Sequence, residues 1–215
     1  MDGPSLGHNT DVIVVADPVE RSLTWVPRDL WCPQREMRIN RLYAHGGEAS
    51  LRDGLREHGI DAAHCLCLRP DGIRPALQGV RVKMPIRESM EFDYEGDWVR
   101  FEPPVDELHG DRIHAWIGAR RRRGGYPSGW LPDLDRIRRQ QELVAVLLGD
   151  DFDFERFLAP GLPVEASSAA AIEELRQVRW DWSFAVVADV VPAEIAGKLV
   201  LVRRQASVPD PPGRA

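Results

Sequence analysis

Three clusters of side chains in this sequence have the types and spacing to handle a multiply charged anion. Pro27-Arg28-Asp29 follows an apolar run, and so falls where a strand hands over to a loop that can present functional groups. Arg120-Arg121-Arg122-Arg123 precedes the loop Gly124-Gly-Tyr-Pro-Ser-Gly129. Asp133-Leu-Asp135-Arg136-Ile-Arg-Arg139-Gln140-Gln141 runs into a helical pattern in which Arg136 and Gln140 lie one turn apart. A guanidinium fork matches paired phosphate oxygens, and aspartate oxygens suit a hard cation such as magnesium. A pyrophosphate calls for several fixed cations because its charge is spread over many oxygens. A plainer reading stands beside this one: Asp133 or Asp135 caps the helix and complements its dipole, and the arginine run is a solvated strand end.

The elements that must position these clusters can be read from periodicity. Asp11–Ala16 and Leu23–Val26 read as two strands of a hairpin turned at Asp17-Pro18. Ala49–His58 reads as a helix, with Leu51 and Leu55 at i,i+4 and Gly59 as its stop. A strand is expected near Ala63–Leu68, a short helix over Asp71–Leu77, and an alternating strand over Val80–Met84. Residues 85–110 are acidic and proline-bearing and read as irregular, apart from a short strand at Trp98–Phe101; Ile113–Ile117 reads as a further strand. Arg136–Leu148 is the most persuasive helix, with Ile137, Val144 and Leu148 on one side. A helix over Ala169–Val178 and an apolar stretch at Phe184–Val191 follow Pro160. Strands alternating with helices indicate one mixed α/β domain. Its parts are a core over 9–150, a C-terminal extension over 151–205 packed on that core, and a disordered tail over 206–215.

Composition narrows the functions. A net charge of −6 argues against bulk nucleic-acid binding. Lys83 and Lys198 are the only lysines, so nearly all positive charge is arginine, the better bidentate partner for phosphate, although a GC-rich genome would produce the same bias. Cys32, Cys65 and Cys67 form no disulfide framework, and the six histidines show no metal-ligand spacing. No glycine-rich nucleotide loop and no nucleophile elbow is present, which counts against kinases and α/β-hydrolases. No apolar run approaches the ~20 residues needed to span a bilayer, and Met1–Thr10 carries no signal-peptide pattern. The sequence as it stands therefore reads as cytoplasmic.

Six ordered segments resemble the motifs of the LytR–CpsA–Psr family. Asn9-Thr-Asp11-Val-Ile-Val-Val resembles its opening Ser-Asp-Thr strand, and Trp25-Val-Pro-Arg28-Asp29 its Ser-Ile-Pro-Arg-Asp segment. Arg38-Ile-Asn40-Arg-Leu-Tyr43-Ala-His-Gly46-Gly47 is similar to Lys-Ile-Asn-x-Ala-Tyr-x-x-Gly-Gly. Asp71–Val82 follows the family's helix and Gly-Gly-Val strand, and Leu108–Trp116 its Leu-x-Gly-x-x-Ala-Leu-x-Tyr stretch. Asp133–Gln141 resembles the signature Asp-Phe-Gly-Arg-x-x-Arg-Gln-Gln, the most specific of the six.

The resemblance implies an α/β fold with a central mixed β-sheet flanked by helices, and an apolar tunnel for a polyprenyl tail. At the tunnel mouth it implies a magnesium-assisted pyrophosphate site. The activity implied is that of a bacterial phosphotransferase, which moves a cell-wall glycopolymer from a polyprenyl-pyrophosphate lipid to an acceptor glycan, or of a related pyrophosphate hydrolase. Carried over by position, Arg28, Arg120, Arg136 and Gln140 hold the pyrophosphate, Asp11 binds the metal, and Asp133 is the base or orients Arg136. The family's Tyr-x-Arg-x-Arg is met by Trp116-Ile-Gly118-Ala-Arg120, with Gly118 at the first arginine, or by a two-residue slip that gives both roles to Arg120 and Arg122. The chain begins where another metal-binding strand of the family should end, so one expected ligand is missing. A truncated member would work on the extracytoplasmic face of the membrane. The alternative is a noncatalytic module that binds prenyl lipid or pyrophosphate, or a remnant with a structural or regulatory role.

Overall fold

The hairpin expected at the start of the chain is present. Strand β1 (Ile13–Asp17) pairs antiparallel with β2 (Ser22–Val26), Ile13 opposite Val26 and Asp17 opposite Ser22. The Asp17 carboxylate holds the turn by accepting from the backbone N–H groups of Val19 and Glu20, both at 2.9 Å. The computed structural model describes residues 12–17, 19–63, 66–68, 77–126, 132–149, 164–166, 173, 182–187 and 189–203. Apart from Leu77 and Glu173, the helices expected over 71–77 and 169–178 lie outside the described residues, as does the tail over 206–215.

The remaining strands are β3 (Trp31–Cys32), β4 (Met37–Arg38), β5 (Leu66–Leu68), β6 (Arg81–Pro85), β7 (Met90–Tyr94), β8 (Asp97–Phe101), β9 (Val105–His109), β10 (Arg121–Arg122), β11 (Val164–Ala166), β12 (Ser183–Val186), β13 (Val190–Ile195) and β14 (Lys198–Arg203). The helices are α1 (Leu42–Glu57), α2 (Asp111–Gly118) and α3 (Pro132–Gly149). Among the described residues the strands form two three-stranded sheets, β1-β2-β12 and β10-β7-β8, and four pairs: β3–β4, β5–β11, β6–β9 and β13–β14. The mixed sheet is β1-β2-β12, in which β12 runs parallel to β2. It is smaller than the single central sheet expected, and helices cover both of its faces. On one face Ile13 and Val26 pack with Leu51 and Leu55 of α1. On the other, Leu23 and Trp25 pack with Ile137 of α3 and with Trp182. The period-2 alternation of β2 thus serves two cores, as it must in a strand buried on both sides.

Two expectations are corrected. Residues 85–110 are regular. Met90–Tyr94 and Asp97–Phe101 form an antiparallel hairpin across Glu95-Gly96, both at positive φ, and β9 pairs with β6. The Asp-Tyr-Glu-Gly-Asp turn carries the signal, since glycine accepts left-handed backbone without strain. Ile113–Ile117 is helix, not strand: Ile113, Ala115 and Trp116 are buried against Phe92, Phe101, Leu143 and Leu147. Burial of Ile113 and Trp116 at i,i+3 fits one helical face.

α1 begins earlier than its periodicity suggests, because Gly46-Gly47 break it and the expected helix is the part beyond that break. Its end matches expectation. Gly59 sits at φ +74°, and Ile60 N–H donates to Leu55 C=O at 3.1 Å, which closes a Schellman motif. The middle of α1 packs so closely that a Cβ on Gly54 would lie 2.1 Å from Leu42 Cδ1 and 3.3 Å from Cys32 Sγ.

Candidate functional site

The Pro27-Arg28-Asp29 turn is fastened on several sides by backbone hydrogen bonds. Leu30 N–H donates to Pro27 C=O at 3.0 Å, Asn40 N–H to Arg28 C=O at 3.2 Å, and Leu201 N–H to Asp29 C=O at 2.9 Å. The side chains add to this: Arg38 pairs with the Asp29 carboxylate at 3.3 Å and donates to Leu199 C=O at 2.6 Å. Arg28 emerges from this frame 8% exposed. Residues that follow β2, lie in β4 and belong to the distant β14 therefore fix one turn.

The start of α3 faces that turn. Asp133, Asp135, Arg136 and Arg139 are all buried, as is the neutral Gln140, an unusual density for charged groups, which are rarely buried unless paired. Asp133 Oδ1 accepts from Arg136 across one turn, while Asp133 Oδ2 is buried without a hydrogen-bond partner among the described residues. Burial pushes the Asp133 carboxyl above the ordinary aspartate pKa. The Arg136 charge opposes that shift, Asp29 adds to it, and Arg28 and Arg120 oppose it. Arg28, Asp29, Arg120, Asp133 and Arg136, from three separate parts of the chain, thus share one electrostatic field. With Arg38, the partner of Asp29, the cluster holds four guanidinium groups against two carboxylates, a net +2. An excess of positive charge carried on planar forks, those of Arg28 and Arg136 buried and that of Arg120 exposed, is suited to a polyanion.

The remaining sequence-predicted residues fall elsewhere or serve other bonds. Arg122 lies on β10 and pairs with Glu88 at 2.9 Å, while Arg121 and Arg123 pair with Asp93 and Glu91. For residues 121–123 the solvated strand end is the arrangement observed; Arg120, just before it, is the member of the run whose charge acts on Asp133. The Gln140 amide nitrogen donates to Ile117 C=O at 2.9 Å. Asp135 is occupied by Arg138 and Arg139. Asp11 lies outside the described residues. Asp29 belongs to the Pro27-Arg28-Asp29 cluster but has no role of its own in the sequence reading, and Arg38 was missed, because its pairing with Asp29 is made only by the fold.

For a metal, the described residues are a poor fit. No three His, Cys, Asp or Glu side chains among them converge as a ligand shell. Asp133 and Asp29 are each bonded to an arginine.

A buried pair of reactive types lies apart from this cluster. Cys32 Sγ is 3.7 Å from His58 Nε2, and burial pushes the thiol pKa up to about 12, with Glu57 adding to the shift. A thiol so held is no nucleophile. A cleft of about 270 Å³ lined by Gln34, Arg35, Asp53, Arg56 and Glu57 is likewise inert, since both of its arginines are paired with its carboxylates.

Compared by sequence, the chain matches no family model and no curated protein. Compared by structure, it resembles TagV of Bacillus subtilis, with a TM-score of 0.60 and 16% identity over 94% of this chain and 87% of that one. A transcriptional regulator from Enterococcus faecalis aligns with a TM-score of 0.62 and 18% identity over 89% and 75% of the two chains. TagT bound to LIIa-WTA aligns with a TM-score of 0.62 and 14% identity over 90% and 79%. Identities this low speak to fold alone. The chain is a mixed α/β protein with a divergent form of the LytR–CpsA–Psr fold.

Proposed function

We propose that this chain binds a polyprenyl-pyrophosphate-linked glycopolymer and transfers the glycopolymer phosphate to an acceptor hydroxyl. The observation that carries the reading is the shared field of Arg28, Arg120 and Arg136 around the buried Asp133 carboxyl. It is supported by TagT, which has the same fold and has been solved with LI-WTA and with LIIa-WTA. The three arginines hold the pyrophosphate oxygens and neutralise charge as it moves, and positioning plus neutralisation is most of what phosphoryl transfer asks of a protein. The acceptor oxygen forms a bond to the phosphorus that bears the glycan. The phosphorus–oxygen bond of the bridge breaks, and polyprenyl phosphate leaves with the electron pair. Asp133, its proton affinity raised by burial, takes the proton of the hydroxyl and passes it to solvent. A prenyl tail implies an apolar tunnel beside this site. The resemblance assigns magnesium to Asp11, which lies outside the described residues; the described residues do not form a site for it, and no step here depends on it.

The noncatalytic reading has one observation in its favour: Arg122 is committed to Glu88, so the two-residue slip does not supply a second cation of the family pattern. The test is release of polyprenyl phosphate from a short-chain polyprenyl-pyrophosphoryl glycan with a saccharide acceptor, in magnesium and in chelator. Arg28→Ala is expected to lower turnover by about 100-fold or more, the cost of removing one preorganised donor, with the fold intact by circular dichroism. Saturable binding without turnover supports the noncatalytic module. Equal turnover in wild type and Arg28→Ala overturns this site.

A further inference from the structure

We propose that Arg139 and Gln140 are positioning residues, which pin the C-terminal turn of α2 so that Arg120 meets the same anion as Arg28 and Arg136. The proposal rests on the pyrophosphate reading above and assigns Gln140 a role other than direct contact.

A helix leaves its last carbonyls without intrahelical partners. α2 ends at Gly118, Ala119 is extended, and Arg120 follows at once. The carbonyls of that last turn are taken up by two consecutive residues of α3. Gln140 Nε2 donates to Ile117 C=O at 2.9 Å. The Arg139 guanidinium donates to the carbonyls of Trp116 and Ala119, and reaches that of Ala115 at 3.5 Å. α2 answers through Trp116 Nε1, which donates to Arg139 C=O at 3.0 Å. Arg139 is itself fixed, with Nε 3.0 Å from Asp135 Oδ2 and its guanidinium 4.1 Å from the centre of the Phe92 ring. A cation at a helix C-terminus is also favoured by the helix dipole.

Arg139 is 0% exposed, so it cannot reach a ligand. Arg120 is exposed and makes no ion pair among the described residues, so its own side chain does not hold it in place. Its placement comes from the backbone behind it. That backbone is bound to the helix that also carries Asp133 and Arg136. The spacing between Arg120 and Arg136 is therefore set by the Arg139–Gln140 clamp.

A double-mutant cycle read by calorimetric titration with inorganic pyrophosphate tests this. Gln140→Met keeps the side-chain length and removes the donor to Ile117. Alone it is expected to weaken pyrophosphate binding by about tenfold, equivalent to about 1.4 kcal/mol. In an Arg120→Ala background it should add almost nothing, and in an Arg28→Ala background its effect should multiply in full. A general loss of structure would multiply in both backgrounds, as would direct contact between Gln140 and the anion, and either result overturns the proposal. Amide hydrogen exchange at 117–120 provides an independent arm. Exchange there should quicken in Gln140→Met and stay unchanged in Arg120→Ala. A wild-type chain that bound no pyrophosphate would sink the functional reading, and unchanged exchange in Gln140→Met would sink the clamp.

Discussion

Asp133 is held between opposing forces, and the balance explains why a carboxyl sits inside an arginine cluster. Burial favours its neutral form, and the Asp29 charge does too; Arg136, Arg28 and Arg120 favour the anion. A carboxyl whose pKa is raised on folding adds stability at acid pH, below its ordinary value, and loses that stability as pH rises through the raised native value. Above that raised value the buried carboxylate costs the fold stability. His58 behaves in the opposite sense. Burial lowers its pKa, Arg203 adds to that, and Glu57 and a backbone bond to Trp31 oppose it. A base kept neutral in the folded chain adds stability above its ordinary pKa of ~6.5 and loses it as pH falls through the lowered native value. Thermal stability should therefore drop more steeply as pH falls below about 6.5 in wild type than in His58→Gln. Equal slopes would place the acid sensitivity elsewhere.

α3 does two jobs with neighbouring residues. Asp133 and Arg136 turn toward the Arg28 turn, while Arg139 and Gln140 turn toward α2. The sequence shows this helix plainly, and the Asp-Arg-Gln spacing shows which residue types share a face. It does not show that Gln140, one turn from Arg136, gives one of its two amide N–H donors to a carbonyl 23 residues earlier. That depends on α2, which lies in a segment whose Ile113-His-Ala-Trp-Ile117 pattern reads equally well as alternation. Partners such as Arg139 and Leu143 decide between helix and strand there, and they are remote in sequence. Of the strands over 90–109 the sequence shows only β8; charged residues dilute the alternation of β7 and β9, and in β9 only Leu108 is buried. Close approach is equally invisible beforehand. Gly54 reads as an ordinary helical glycine, yet Leu42 and Cys32 fill the space where its side chain would be. Gly54→Ala should therefore destabilise the protein by about 1–3 kcal/mol through overpacking, despite the better helix propensity of alanine. Urea unfolding would measure it, and a stabilised variant would refute the packing argument.

The whole molecule brings the site together from segments more than a hundred residues apart. β14 supplies Leu201 N–H to Asp29 and Leu199 C=O to Arg38, so the C-terminal hairpin β13–β14 braces the turn that presents Arg28. Motif order in the sequence identified Arg28, Arg120, Asp133 and Arg136 as candidates. Only the fold shows that Arg120, and not Arg122, shares their field. Among the described residues no helix is long and apolar enough to cross a membrane. Convergence of Arg28, Arg120 and Arg136 on one pyrophosphate is the core of the proposed function. Its most direct test is a titration of the arginine-labelled chain with a short-chain prenyl pyrophosphate, followed by nuclear magnetic resonance at the arginine Nε–H groups. The Arg28, Arg120 and Arg136 resonances should shift together with one apparent affinity, while Arg122, held by Glu88, stays in place. Shifts confined to the exposed Arg121 and Arg123, or no saturable shift at all, would contradict it.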